Sequence, residues 1–226
     1  MAFYFDVCVV TYRIFHRRTT ESWLDIMLSN AEQERSLTHD VGNAKAAVVL
    51  AILAVVTYRH AKVHSPSGSG DVDSRKRQES DHFFRAAQQL TNSETGLPRL
   101  HSAQARLIQV LYLLQTSRMN QGWYVFGLTC QIISALGLHR RSNKKRSAAT
   151  KANYISSQCR KRVFWVAYTI DQYLSVVFGR PRHWHDADID QDFPDCINDE
   201  DMTARGPSPA DAQEDCQVDA VVFHAK

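Results

Sequence analysis

Three apolar segments with marked ends, within residues 100–192, restrict this chain to helical folds. Apolar side chains recur as Leu107, Val110, Leu111 and Leu114, then Trp123, Phe126, Cys130 and Ile133, then Val163, Val166, Ile170, Leu174 and Val177. Steps of three and four residues put such groups on one face of a helix. The pattern predicts helices over about 100–115, 121–136 and 154–178. Gly137 suits a left-handed residue closing the second helix, with Leu138 folding back on its last turn. Gly179-Arg180-Pro181 stops the third, because proline cannot continue a helix. The short link at Thr116–Gln121 makes the first two helices an antiparallel hairpin. Val125, Leu128, Ile132 and Leu136 add a second apolar side to the middle helix, which predicts burial on both flanks.

The first hundred residues read as further helical packing. Phe3–Phe15 is aromatic and β-branched and fits either a strand or a short helix. Thr19 or Thr20 suits a helix cap before Trp23, Leu24, Met27 and Leu28. Lys45–Tyr58 is a long apolar segment, read as a buried helix. Its most apolar run, Ala46–Val56, falls short of the roughly 20 residues a spanning helix needs. Ser65-Pro66-Ser67-Gly68-Ser69-Gly70 marks a flexible loop over about 64–80, before a short helix at Asp81–Leu90. From about residue 198 the sequence turns polar, so 201–226 is expected to be a disordered or non-native tail after a domain spanning 1–200. The expected class is all-α: stacked helical hairpins in a solenoid-like multi-helix domain, incomplete at its C-terminus.

Charge and cysteine usage narrow the function. A net charge of +3 is too small to argue for nucleic acid by itself. The five cysteines are scattered and form no C-x-x-C pair, which argues against a disulfide framework or a zinc ribbon. Phosphate-cradling glycine loops, a nucleophile elbow and H-E-x-x-H are all missing from the sequence. His183, His185, Asp186, Asp188 and Asp190 have metal-ligating chemistry and would carry a remote metal-dependent hydrolase reading, but in one short segment they read better as a solvated acidic turn. Asp171 lies among apolar helical residues and needs a partner; a structural ion pair with Arg180 is expected. Arg140, Arg141, Lys144, Lys145 and Arg146 form a basic run suited to nuclear import. Trp123, Phe126, Trp165 and Tyr168 are candidates to line a ligand cavity, with plain core packing as the alternative. No catalytic residue and no cofactor is assigned.

The run His101–Arg140, with Gln104, Asn120, Trp123 and Ala135-Leu136-Gly137-Leu138-His139-Arg140, resembles the regulatory domain of fungal-specific transcription factors. This middle homology region occurs in binuclear zinc-cluster regulators, including xylanolytic activators. A second block matches the same family: Phe164-Trp165, Asp171, Gly179-Arg180-Pro181 and the acidic turn from Asp186 to Pro194. The opening segment is also similar, with His16 in its usual place and Arg13 where proline is common. The resemblance implies a non-enzymatic role in transcription regulation in the nucleus. Co-regulators or the transcription machinery would be its partners, no membrane is involved, and a homodimer is a candidate assembly. Small-molecule inducer sensing is the alternative role. Zinc and DNA belong, in full-length relatives, to an N-terminal six-cysteine cluster that this sequence lacks, so DNA would be met only through a module not present here. The family domain also continues through more helices, which implies a truncated member and a non-native stretch at 203–226.

Overall fold

A computed structural model describes residues 1–8, 11–63, 70–141, 153–208 and 219–225. Its helices are α1 (Arg17–Glu32), α2 (Asn43–Val63), α3 (Gly70–Asn92), α4 (Leu100–Gln115), α5 (Met119–Ala135), α6 (Tyr154–Phe178) and α7 (Asp219–Ala225). A π-helical turn covers Tyr4–Cys8, and two-residue strands β1 (Met202–Thr203) and β2 (Gly206–Pro207) form an antiparallel hairpin. The described residues are all-α apart from that hairpin. It divides into two compact units: Met1–Val9 with Thr19–Thr129, and Val10–Arg18 with Cys130–Lys226.

In the first unit α2 is the centre. Ala46 through Ile52 are buried in succession, and α2 packs on α3, α4 and the π-helical turn. A helix apolar all round belongs inside a core. At 21 residues α2 is longer than the run read from sequence, and by length and composition alone it is long enough to cross a bilayer; here it serves as a core helix. The α4 helix is buried from Ser102 to Leu113. Its polar members are satisfied inside: Arg106 donates to Glu94 at 2.7 Å and to the Thr91 carbonyl at 2.7 Å. Ser80 of α3 donates to the Ala54 carbonyl at 2.8 Å and lies 2.8 Å from the Tyr112 hydroxyl.

In the second unit α6 supplies the core through Val163, Phe164, Val166, Ala167, Ile170 and Leu174. The described part of the C-terminal stretch is structured: β1 and α7 both pack on α6, β2 pairs with β1, and Val221 is buried. Cys8, Cys130 and Cys159 are free and buried, whereas Cys196 is disulfide-bonded.

Helix ends follow local chemistry. After α5, the N–H of Leu138 donates to the Ile133 carbonyl at 3.1 Å and that of Gly137 to Ser134 at 3.0 Å, with Gly137 at φ 63°. That is the Schellman arrangement read from sequence. The same pattern closes α4: Arg118 donates to Leu113 at 2.9 Å and Ser117 to Leu114 at 3.2 Å, with Ser117 at φ 61°.

Several expectations are corrected. The flexible loop placed at about 64–80 gives way to α3 from Gly70 onward. The helix read at Asp81–Leu90 is the later part of this longer one. The α1 helix starts at Arg17, ahead of the threonines read as its cap. The middle helix of the three is not buried on both flanks: Tyr124 is 71% exposed and Leu128 46%. Val177, placed on the inner stripe of α6, is 51% exposed, because the last turn of α6 runs beyond its core contacts. Of the two readings left open for Phe3–Phe15, the short helix is the one met, as a π-helical turn over Tyr4–Cys8.

Candidate functional site

The residues that punctuate α6 hold together a single strap. Gly179 adopts φ 62° and ψ 29°, a left-handed conformation that glycine enters without steric cost, and turns the chain back at the end of α6. Two residues of the returning chain reach Asp171: its Oδ2 accepts the backbone N–H of His183 at 2.8 Å and of Trp184 at 3.2 Å. Burial pushes the Asp171 carboxyl above the ordinary range, while these two N–H donors pull the other way. Trp184 is buried, donates its indole N–H to Ser134 Oγ at 3.3 Å, and meets Phe164 edge-on.

Farther along, Tyr168 and Arg182 both donate to Asp186 Oδ1, at 2.8 and 2.9 Å. Trp165 donates to the Asp192 carbonyl at 2.9 Å and stacks on Phe193 with ring centroids 4.2 Å apart. Gln191 then donates to the Leu138 and Arg140 carbonyls beyond the end of α5, at 2.8 and 3.0 Å. The acidic turn therefore ties the C-terminal end of α5 to α6.

A second anchor lies deeper. Arg162, on α6, is completely buried and donates to Asp199 Oδ1 at 2.6 Å, to the Phe15 carbonyl at 3.2 Å and to the Ile197 carbonyl at 3.3 Å. Asp199 Oδ2 accepts the backbone N–H of Arg17 at 2.8 Å. The Asp199 carbonyl lies 3.0 Å from His16 Nε2; a carbonyl only accepts, so Nε2 carries the proton. Further hydrogen bonds occupy the Arg162 terminal nitrogens and the second Asp199 oxygen, as a buried ion pair requires, while Arg162 Nε is buried without one. Here one guanidinium and one carboxylate gather the 15–17 segment, α6 and the 197–199 turn.

The residues expected to act are distributed as follows. Trp123 and Phe126 fall in the first unit, where Trp123 meets Tyr124 edge-on at 5.4 Å; Trp165 and Tyr168 fall in the second, engaged with the acidic turn as described. The described partners of Asp171 are backbone amides rather than Arg180, whose guanidinium lies 5.7 Å from the Phe178 ring centroid. Of the basic run, Arg140 and Arg141 are exposed, and Arg141 pairs with Asp192 at 2.6 Å; Lys144, Lys145 and Arg146 lie outside the described residues. His183, His185, Asp186, Asp188 and Asp190 are all exposed. Among the described residues no group of three or more His, Cys, Asp or Glu side chains is placed to hold a metal. The cysteines do not fit a binuclear zinc cluster either: Cys8, Cys130 and Cys159 are buried on separate elements.

Sequence reading missed Asp199, and missed that Arg162 would pair with it. Asp199 sits in a short polar run, Asn198-Asp199-Glu200-Asp201, with no periodicity to single it out. His16 had a signal in the resemblance, but its partner lies 183 residues away. In chemical terms the arrangement caps, pairs and positions. Its carboxylates accept from backbone amides, guanidinium groups and a phenol.

A family model described as the fungal-specific transcription factor domain matches residues 1–226. A transcriptional regulatory protein of Saccharomyces cerevisiae is 25% identical over 203 residues, 89% of this chain and 26% of that protein. Activator of stress genes 1 of the same yeast is 30% identical over 121 residues, 54% of this chain and 12% of that protein. Pyrimidine pathway regulatory protein 1, also of S. cerevisiae, is 27% identical over 120 residues, 53% of this chain and 13% of that protein. The chain thus spans about a quarter or less of the length of these relatives. No solved structure matches it significantly.

Proposed function

The chain belongs to the fungal-specific transcription factor domain family, and from that premise we propose that it works as a non-catalytic regulatory scaffold within a nuclear transcription regulator. The observation that carries this reading is the use made of the polar motif residues. Asp171, Asp186, Gln191 and Asp199 are occupied by internal donors or acceptors within one unit. Such groups fix a surface for partners rather than turn over a substrate. Co-regulators or the transcription machinery are the partners this implies, and contact with DNA is made by a module other than these residues. The exposed Arg140 and Arg141 begin the basic run that would serve nuclear import.

Tethering tests the scaffold role. The 226-residue chain is fused to a heterologous DNA-binding module upstream of a reporter in yeast. Reporter output that changes with the fusion, and reverts when Arg162→Met is introduced, is the expected result. Output identical to that of the DNA-binding module alone would sink it. For DNA, a mobility-shift assay at physiological salt is expected to give no sequence-selective complex with this chain.

A further inference from the structure

A cavity of about 670 Å³ opens between the start of α2 and the segment that leads into α4, wholly within the first unit. That volume suits a small organic ligand. Its wall includes Asn43, Lys45, Ser93, Arg99, His101 and Ser102. We propose that this cavity is a binding site for a small anionic ligand, one carrying a carboxylate or phosphate group.

The charge balance of the wall sets the sign of the ligand. Lys45 and Arg99 bring two positive charges. Glu94 also lines the cavity, but its carboxylate is held by Arg106 at 2.7 Å and by the Ser102 hydroxyl. The acid is therefore paired with Arg106, while no carboxylate is paired with Lys45 or Arg99 among the described residues. Lys45 lies 5.6 Å from the centre of the Trp23 ring, a cation–π contact that restricts its ammonium. His101 stands between these groups, packed edge-on to Trp23 at 4.9 Å and 2.9 Å from Gln104 through Nδ1. Its pKa is depressed first by burial, opposed by the Gln104 hydrogen bond, with the charges of Lys45 and Arg99 adding smaller downward contributions.

The backbone adds donors. Both α2 and α4 begin at this cavity, and the first amides of a helix have no acceptor in the helix. Ser102 occupies the Arg99 N–H at 2.9 Å. Among the described residues the N–H groups of Ala44, Lys45, Leu100 and His101 take no carbonyl from the chain beyond their own helices. Cationic side chains flanked by free amides are the donor set that oxyanions select. The cavity is distinct from the aromatic residues considered for ligand binding from sequence, and its occupancy does not depend on the transcriptional role.

Thermal denaturation of the full chain in inorganic phosphate or citrate, with sodium chloride adjusting every sample to one ionic strength, tests the site. A saturable rise in Tm with at least one of the two probes is expected. In Lys45→Gln/Arg99→Gln the apparent Kd should weaken by roughly tenfold or more, as loss of charge-assisted hydrogen bonds would produce. Response to citrate alone assigns a carboxylate ligand; response to phosphate, with or without citrate, assigns a tetrahedral oxyanion. Arg99→Gln alone, at an exposed position, provides the same comparison where the double variant folds poorly. A second readout is the His101 ring by NMR. Bound anion faces the charges of Lys45, Arg99 and Glu94 and should raise the His101 pKa, whereas chloride at equal ionic strength should not. No saturable Tm rise with either probe, or an equal response in the double variant, overturns the proposal.

Discussion

In the first unit the central helix meets its neighbours through alanine, valine, leucine and isoleucine, buried residue after residue from Ala46 to Ile52. In the second, α6 has an apolar stripe of comparable kind, yet the chain around it is held by Asp171, Arg162, Asp199 and two indoles. The difference lies in what each unit must organise. Helices packed side by side share continuous apolar faces, so burial alone places them. An irregular strap has backbone N–H and C=O groups that no ladder satisfies, so side chains must supply partners at defined points. The second unit thus depends on a few directional contacts, and the first on many interchangeable ones.

The largest expected effect separates the two designs. Arg162→Met leaves the Asp199 carboxylate buried beside apolar atoms and should destabilise the second unit by about 3–5 kcal/mol, measured by chemical denaturation. Arg162→Met/Asp199→Leu should recover much of that loss; a double variant no better than the single one would show that the pair acts through something other than charge compensation. Ile108→Ala, in the apolar core of the first unit, should cost about 2–5 kcal/mol without any such rescue by a second polar change.

Asp171→Asn is smaller and sharpens the contrast through pH. The folded Asp171 carboxyl titrates above its ordinary value, first because of burial. Its contribution to stability is therefore complete below the unfolded pKa and is lost as pH rises through the folded one. The wild type should lose stability relative to Asp171→Asn as pH rises across that window, and parallel pH–stability curves would refute the assignment. Smallest is Ser117→Gly in the α4–α5 turn, where φ is 61°. Removing the Cβ should stabilise the first unit by about 0.5–1 kcal/mol, read as a rise in Tm.

These contrasts also explain what could be read from sequence. The α4 and α6 helices run over the residues their periodicity marks, and Gly137 and Gly179 close α5 and α6 as their chemistry requires. Local rules fix such features, and local rules are what a sequence displays. Of α3, Asp81–Leu90 was legible from its apolar spacing, but its first turns were hidden because Ser, Gly and charged residues dominate them by composition. The strap was legible as an order of motifs. Its geometry was not: Asp171 meets backbone amides, and backbone amides leave no mark in residue identity. The Arg162–Asp199–His16 junction joins residues that no local rule links.

That junction also has a history within each molecule's synthesis. His16 emerges from the ribosome 183 residues before the Asp199 carbonyl it will meet. At about 5–20 residues per second, the wait is about 10–40 s. During that time residues Thr19–Thr129 of the first unit are translated and free to fold, and Arg162, which meets the Phe15 carbonyl, emerges 37 residues ahead of Asp199. The second unit is therefore the later one to assemble, and a nascent chain halted before Asp199 would present Arg162 unpaired.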